Sequence, residues 1–373
     1  LRLILFTGKG GAGTTTLAAA GAVHAARCGI KTLLLSLDGD GSLDDILPPA
    51  TEIGGSLTRR TGSAAPAVVS TVVAEHLRAL LGQVGVDPVP AELIGVLPGI
   101  DEVAALIEVR EAVAGGPWDL VIVDLGPSGE ALRLLALPGA LTHYLERMLG
   151  VGRRVERAMS LPSDPLVAGA DRLLGELAAI AEVLRAPSTS VRLVSGSGPV
   201  ALAHTRRTLT RLALHGARVE ALLVNGAATA EIAEPAEAPD AADAVGTAAW
   251  PVPVHRVPRL AAEPVGPEAL AALGALLDDP ATLLDPPRPD AAGGPFSVSR
   301  HGTEYELALT LPLARREELD LRRLGDDLVI ALGRHRRVLT LPSGLRRCRV
   351  VGARLDDAVL RVRFEPDPAL WRS

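Results

Sequence analysis

The feature that most constrains this chain is its first turn. Leu3-Ile4-Leu5-Phe6-Thr7 is a run of β-forming residues, and Gly8-Lys9-Gly10-Gly11-Ala12-Gly13-Thr14-Thr15-Thr16 follows at once. A helix-compatible run, residues 17–27, comes next. Strand, glycine loop and helix in that order make the context a phosphate-binding loop needs. The glycines let backbone N–H groups approach an anion closely, and the helix N-terminus adds a favourable dipole. A loop of the G-x-x-x-x-G-K-[ST] type has lysine where this chain has Thr14.

Lysine is rare here, so its placement carries information. Of the 38 lysines and arginines only Lys9 and Lys31 are lysines. A compact ammonium on a flexible stem fits beside phosphates in a tight loop, and a planar guanidinium is no substitute. Across 373 residues the net charge is −6, which argues against a general nucleic-acid binder. The short basic clusters Arg206-Arg207 and Arg346-Arg347 read as solvated faces. With aromatics at only 2%, the core has to be built from Ala, Leu and Val. The only cysteines, Cys28 and Cys348, cannot form a disulfide framework or a four-thiolate zinc site. Cys28 follows a helical pattern and reads as a small buried apolar residue. Neither a secretory leader nor a membrane-length apolar run is visible, so a cytoplasmic protein is expected.

Further strands read at 31–37, 118–124, 191–195 and 219–224, with a short candidate at 251–254. Between them helical spacing appears at 68–81, 103–114, 141–184 (broken near Pro162 and Pro165), 199–215 and 267–277. Residues 48–66 read as a loop, 125–129 as a turn and 227–247 as a mobile connection. Continuous apolar strands separated by helices predict an α/β domain with a mostly parallel sheet buried on both faces. Residues 278–295, rich in Asp and Pro, read as a linker. Beyond it the period changes from 3.6 to 2, and six or seven short alternating strands predict a small all-β sandwich over 296–373. The expected division is thus a first domain over 1–277, with a helical part at about 132–190, then the linker and the sandwich.

Asp38, Asp124 and Asn225 stand at the carboxyl ends of predicted parallel strands, and the Gly8 loop ends the first. Ligands of open α/β sheets bind at that edge. The eight histidines are scattered without metal-ligand spacing. Gly126-Pro127-Ser128-Gly129 lacks the order of a nucleophile elbow, and no triad is identifiable.

This combination resembles the deviant P-loop ATPases, and within them the ArsA family of arsenite-pump ATPases and their relatives that target tail-anchored membrane proteins. The loop from Gly8 to Thr16, Leu97-Pro98-Gly99-Ile100-Asp101-Glu102, Trp118 to Asp124, Pro127 to Leu135, Ala213-Leu214-His215-Gly216 and Val224-Asn225 carry the likeness. The last domain is similar to the small heat-shock (α-crystallin) sandwich appended to some ArsA-like proteins, on Leu341-Pro342 and the strand from Asp357 to Val362.

The resemblance implies a P-loop NTPase that takes ATP and Mg²⁺ and works as a homodimer on a protein client or membrane partner. Nucleotide would be held by Gly8, Lys9, Gly10, Gly11, Ala12, Gly13, Thr14, Thr15 and Thr16, with Asn225 and Pro258 at the adenine. Lys9 would reach the partner's nucleotide, Thr15 and Asp124 would hold Mg²⁺, and Asp38 would orient the attacking water. Three departures qualify this. Thr14 replaces the loop lysine, Asp38-Gly39-Asp40-Gly41 stands where the family has Asp-Pro-Ala-His, and the cysteines of a three-thiolate arsenite site or a CxxC zinc clasp are missing. Removing a donor aimed at developing charge costs on the order of a hundredfold to a thousandfold in rate. The expected activity is therefore ATP binding with slow hydrolysis. The alternatives are a pseudo-ATPase scaffold or a client-binding chaperone built on the sandwich.

Overall fold

The computed structural model describes residues 1–37, 39–49, 56–61, 100–159, 165–227, 250–285 and 296–369. Leu3, Ile4, Leu5 and Phe6 are each at most 2% exposed, so the strand they form has no solvent face. That strand, β1 (Arg2–Gly8), lies between β4 (Leu120–Pro127) and β5 (Thr189–Gly196) and is parallel to both. Outward from β4 come β2 (Thr32–Ser36) and β3 (Leu57–Thr61); outward from β5 come β6 (Val219–Ala227) and β7 (Val254–Pro258). All pairings in this seven-stranded sheet are parallel.

Strands apolar on both faces need helices on both. On one side Ile4 and Phe6 pack on α1 (Thr14–Arg27), the short α2 (Ser42–Ile46) and α7 (Pro267–Gly274). On the other, Leu3 and Leu5 pack on α3 (Ile100–Gly115), α4 (Ser128–Met159), α5 (Pro165–Arg185) and α6 (Pro199–Leu214). The alanine-rich α1 lets α7 come unusually close: a Cβ at Gly274 would lie 2.2 Å from the Ala20 carbonyl oxygen.

Several local expectations change. Residues 48–66 contain the edge strand β3, whose Thr58, Arg59 and Arg60 gave it no apolar signature. The strand expected at 251–254 runs instead from Val254 to Pro258, because Pro251 and Pro253 have no N–H for the ladder. The turn expected at 125–129 is absorbed: β4 continues to Pro127, and α4 starts at Ser128 and runs through Pro138. Cys28 is exposed, not buried; α1 ends at Arg27, and Cys28 caps it ahead of Gly29 at φ +84°. The helix expected at 68–81, the Leu97-Pro98-Gly99 motif, the connection at 228–247 and residues 286–295 lie outside the described residues. Asp278 and Leu283, at the start of the expected linker, are buried against the first domain.

The C-terminal domain has two antiparallel sheets. One is β10 (Leu319–Leu324), β11 (Asp327–Leu332) and β12 (His335–Thr340); the other is ordered β13 (Cys348–Asp356), β14 (Val359–Pro366), β9 (Glu304–Thr310), β8 (Phe296–His301). Leu307, Leu309, Ile330, Leu360 and Phe364 fill the space between them, joined by Leu214 from the end of α6. Arg337 donates to the Leu214 carbonyl, and the Thr210 hydroxyl donates to the Pro312 carbonyl at 2.7 Å. The sandwich is thus seated on α6. No helix among the described residues is long and apolar enough to cross a membrane.

Beneath the sheet a buried ionic network joins distant segments. Arg192 pairs with Glu220 on β6 at 2.7 Å and with Asp278 beyond α7 at 2.6 Å, and Arg2 also pairs with Glu220. Burial disfavours the Arg192 charge, but Asp278 and then Glu220 raise its pKa above the ordinary arginine range. Removing one member of a buried pair strands the other, at roughly 3–5 kcal/mol. Arg192→Met is therefore expected to lower stability by about that amount in urea unfolding, whereas Arg349→Met, in an exposed pair with Glu365, should change it by at most about 1 kcal/mol.

The junction with the sandwich supplies a pH dependence. Burial, then Arg337 and His335, push the His215 imidazole down to about 4 from an ordinary value near 6.5. Between those values the unfolded chain binds a proton that the folded chain does not, so stability declines as pH falls through that window. His215→Gln should flatten the decline of the thermal midpoint between pH 6.5 and pH 4; an unchanged slope would show that His215 does not contribute.

Candidate functional site

The carboxyl edge of the seven-stranded sheet gathers most of the residues singled out in the sequence. Gly8 ends β1 and lies beside Pro127 of β4 and Val194 of β5. Its lack of a side chain is required: a Cβ would sit 2.4 Å from the Val194 carbonyl oxygen and 2.9 Å from Thr14 Oγ1. The chain then leaves the sheet. Lys9, Gly10 and Gly11 are exposed, and the turn is closed by the Ala12 N–H donating to the Lys9 carbonyl at 2.9 Å. Gly11 has φ +77° and Gly13 +88°, conformations that leave backbone amides free to turn toward one point. Thr14 opens α1 and is 9% exposed; Thr15 and Thr16 are half-buried in its first turn.

Asn225 braces this loop from the far side of β5. It aligns with Gly196 of β5 and Val257 of β7. Its side-chain amide donates to the Ala12 carbonyl at 2.9 Å and lies where a Cβ on Gly13 would fall, 2.4 Å away. Pro258, half-buried at the end of β7, pairs with Ala227, two residues beyond Asn225.

Asp124 is 1% exposed and lies in β4 beside Phe6 of β1 and Ser36 of β2. One carboxylate oxygen accepts the Gly126 N–H at 3.1 Å, and the Thr7 hydroxyl donates to the Gly126 carbonyl at 2.9 Å. Thr7 thereby ties the end of β1 to the end of β4, a contribution that a polar residue just before the glycines only hints at. Asp38 lies outside the described residues. The site so assembled joins Gly8 to Thr16, Asp124, Asn225 and Pro258 on one edge.

A second contact was not legible in the sequence. Ser128, 3% exposed at the start of α4, has its Oγ 2.9 Å from Nε2 of His204 on α6. Burial, then Arg207, Arg211 and Lys9, lower the His204 pKa, which favours the neutral ring at neutral pH. Among the described residues no carboxylate is hydrogen-bonded to its other ring nitrogen, so the pair ties α4 to α6 and makes no nucleophilic triad.

The edge can hold a phosphate chain in backbone amides, with a hydroxyl and a buried carboxylate nearby for a divalent cation. The fit depends on Gly13. Gly13→Ala places a Cβ on the Asn225 amide at φ +88° and is expected to destabilise the fold by about 1–3 kcal/mol. Adding Asn225→Ala removes the clash but not the dihedral cost, so only part of the loss should return in thermal unfolding.

The amino-acid sequence agrees with known proteins along its length. The family of anion-transporting ATPases matches residues 1–279, and the HSP20-like domain found in ArsA matches residues 302–364. An uncharacterised protein of Streptomyces coelicolor is 38% identical over 100% of this chain and 99% of its own. A Mycobacterium tuberculosis protein is 33% identical over 99% and 97%. A putative arsenical pump-driving ATPase of Chlorobaculum tepidum is 27% identical over 98% and 96%. With its parallel sheet, its glycine loop and its C-terminal sandwich, the chain belongs to the ArsA family of anion-transporting ATPases.

Proposed function

We propose that the chain binds ATP with Mg²⁺ as a homodimer and hydrolyses it slowly, coupling nucleotide state to a client or membrane partner. The observation that carries this reading is the glycine loop at the carboxyl end of the central strand, opening α1 beside the buried Asp124. The residues present fit the ligands. Gly10 and Gly11 have open space where side chains would stand, so the loop amides can approach phosphates. Thr15 and Asp124 would hold Mg²⁺, a hard cation that accepts few protein oxygens and keeps water and phosphate ligands. When bound, it neutralises charge on the transferring phosphate.

The chain's own residues do the rest by position and charge. The amides from Gly10 to Thr15 hold the phosphates. Lys9 is exposed at the rim and, among the described residues, forms no ion pair, which suits a lysine offered to a second subunit. Asp38 would orient water, and Pro258 would flank the base. The Asn225 amide proton already serves the loop, so its role extends to bracing the phosphate cradle. At Thr14 a short hydroxyl, turned toward Gly8, replaces a long cation. Binding survives this change better than catalysis, because amides supply the cradle and the missing charge acts on the transition state.

The test is ATP binding and turnover on purified protein. Wild type should bind MgATP and turn it over slowly. Thr14→Lys should raise turnover on the order of a hundredfold, and Lys9→Ala should lower it with binding largely kept. A wild type that neither binds nor hydrolyses ATP, rescued by Thr14→Lys, would establish the pseudo-ATPase scaffold instead. An active enzyme indifferent to Lys9→Ala would remove the trans-acting lysine.

A further inference from the structure

Arg206 and Arg207, read in the sequence as a solvated face, lie in a cleft. With Arg211 they line the α6 wall of a cavity of about 520 Å³ between that helix and the sandwich. Arg315 lines the opposite wall, and Glu318 is the one acidic lining residue. Four guanidinium groups and one carboxylate leave three uncompensated positive charges among the lining residues. Among the described residues none of the four arginines forms an ion pair, although exposed arginines elsewhere in the chain do so. Arg206 instead lies over the Trp250 ring, 4.6 Å from its centroid.

We propose that this interdomain cleft is a binding site for a small oligophosphate anion, separate from the nucleotide loop. The guanidinium fork matches phosphate oxygens in a bidentate way, and four forks around one space suit a ligand with several adjacent phosphates. The volume falls in the range of small-molecule sites. Leu313 and Leu332 contribute apolar wall, and Arg206 and Arg211 are half-buried whereas Arg207 and Arg315 stand at the open side.

The walls are held in place. The Thr210 hydroxyl on α6 donates to the Pro312 carbonyl at 2.7 Å. The next residue, Leu313, sits at φ +62°, a conformation that costs a leucine about 1–2 kcal/mol, and packs on the core of the first domain. The positive field is also felt nearby. After burial, Arg207 and Arg211 lower the His204 pKa, and Arg211 and Arg334 lower that of His335. A lone Glu318 opposes Arg207 at Arg211, where burial is the larger influence on the guanidinium.

The experiment is calorimetric titration of inorganic tripolyphosphate into the full chain saturated with Mg²⁺ and a non-hydrolysable ATP analogue. One site is expected, weakened at least tenfold by Arg207→Gln with Arg211→Gln and tightened by Glu318→Gln. Analogue affinity should be unchanged in each variant. The single Arg315→Gln change, at an exposed residue, serves as the check should the double variant melt early. If the chain takes no analogue, the titration is run without it, and the arginine variants still decide. The proposal is overturned by the absence of binding, by binding that the analogue abolishes, or by affinity indifferent to all three arginine changes. Selective binding of an oligoglutamate peptide in place of tripolyphosphate would equally overturn it.

Discussion

The site depends on how closely backbone can approach backbone at the end of the central strand. Gly8 stands against the Val194 carbonyl, and Gly13 stands against the Asn225 amide. A side chain at either position would push the loop off the sheet. Because both glycines are bare, β1 can turn straight into α1 with its amides directed outward. The Asn225–Ala12 hydrogen bond then fixes the loop from β6, across the intervening β5. The loop is thus tied at Ala12 by two hydrogen bonds, one from Asn225 and one to the Lys9 carbonyl.

The sheet that carries this loop is tied together from below by charge. Arg2, Arg192, Glu220 and Asp278 join β1, β5, β6 and the segment after α7. Such a network adds little stability over an apolar substitute, but each member requires the others. In the observed register each of the four charges has an opposite partner. The packing of Asp278 also explains why the acidic, proline-containing segment that begins there does not leave the first domain at once.

Helix α6 is where the two domains and the candidate site meet. His204 contacts Ser128 at the entrance of α4, Leu214 enters the core of the sandwich, and Arg206, Arg207 and Arg211 face the cleft. A change at Ser128, next to the sheet edge that carries Asp124, therefore has a short path to the sandwich. All of these contacts are made by one helix.

Much of the architecture was legible in the residues. Alternating apolar strands and helices announced the parallel sheet, the glycine run announced the loop, and the change of period announced the sandwich. Edge strand β3 was hidden because Thr58, Arg59 and Arg60 carry no apolar pattern: Arg60 is exposed, and Arg59 turns to Asp44 and the Leu47 carbonyl. Cys28 was misread because a helical pattern does not say on which residue the helix stops. What the sequence by itself determined was local: which segments turn, which bury both faces, and where close backbone approach demands glycine. Only the tertiary structure decided that Asn225 braces Ala12, that Ser128 meets His204, and that Arg206, Arg207 and Arg211 face Arg315 across a cleft. Those partners lie tens to hundreds of residues apart, and their meeting follows from strand order and domain docking, which local periodicity does not encode.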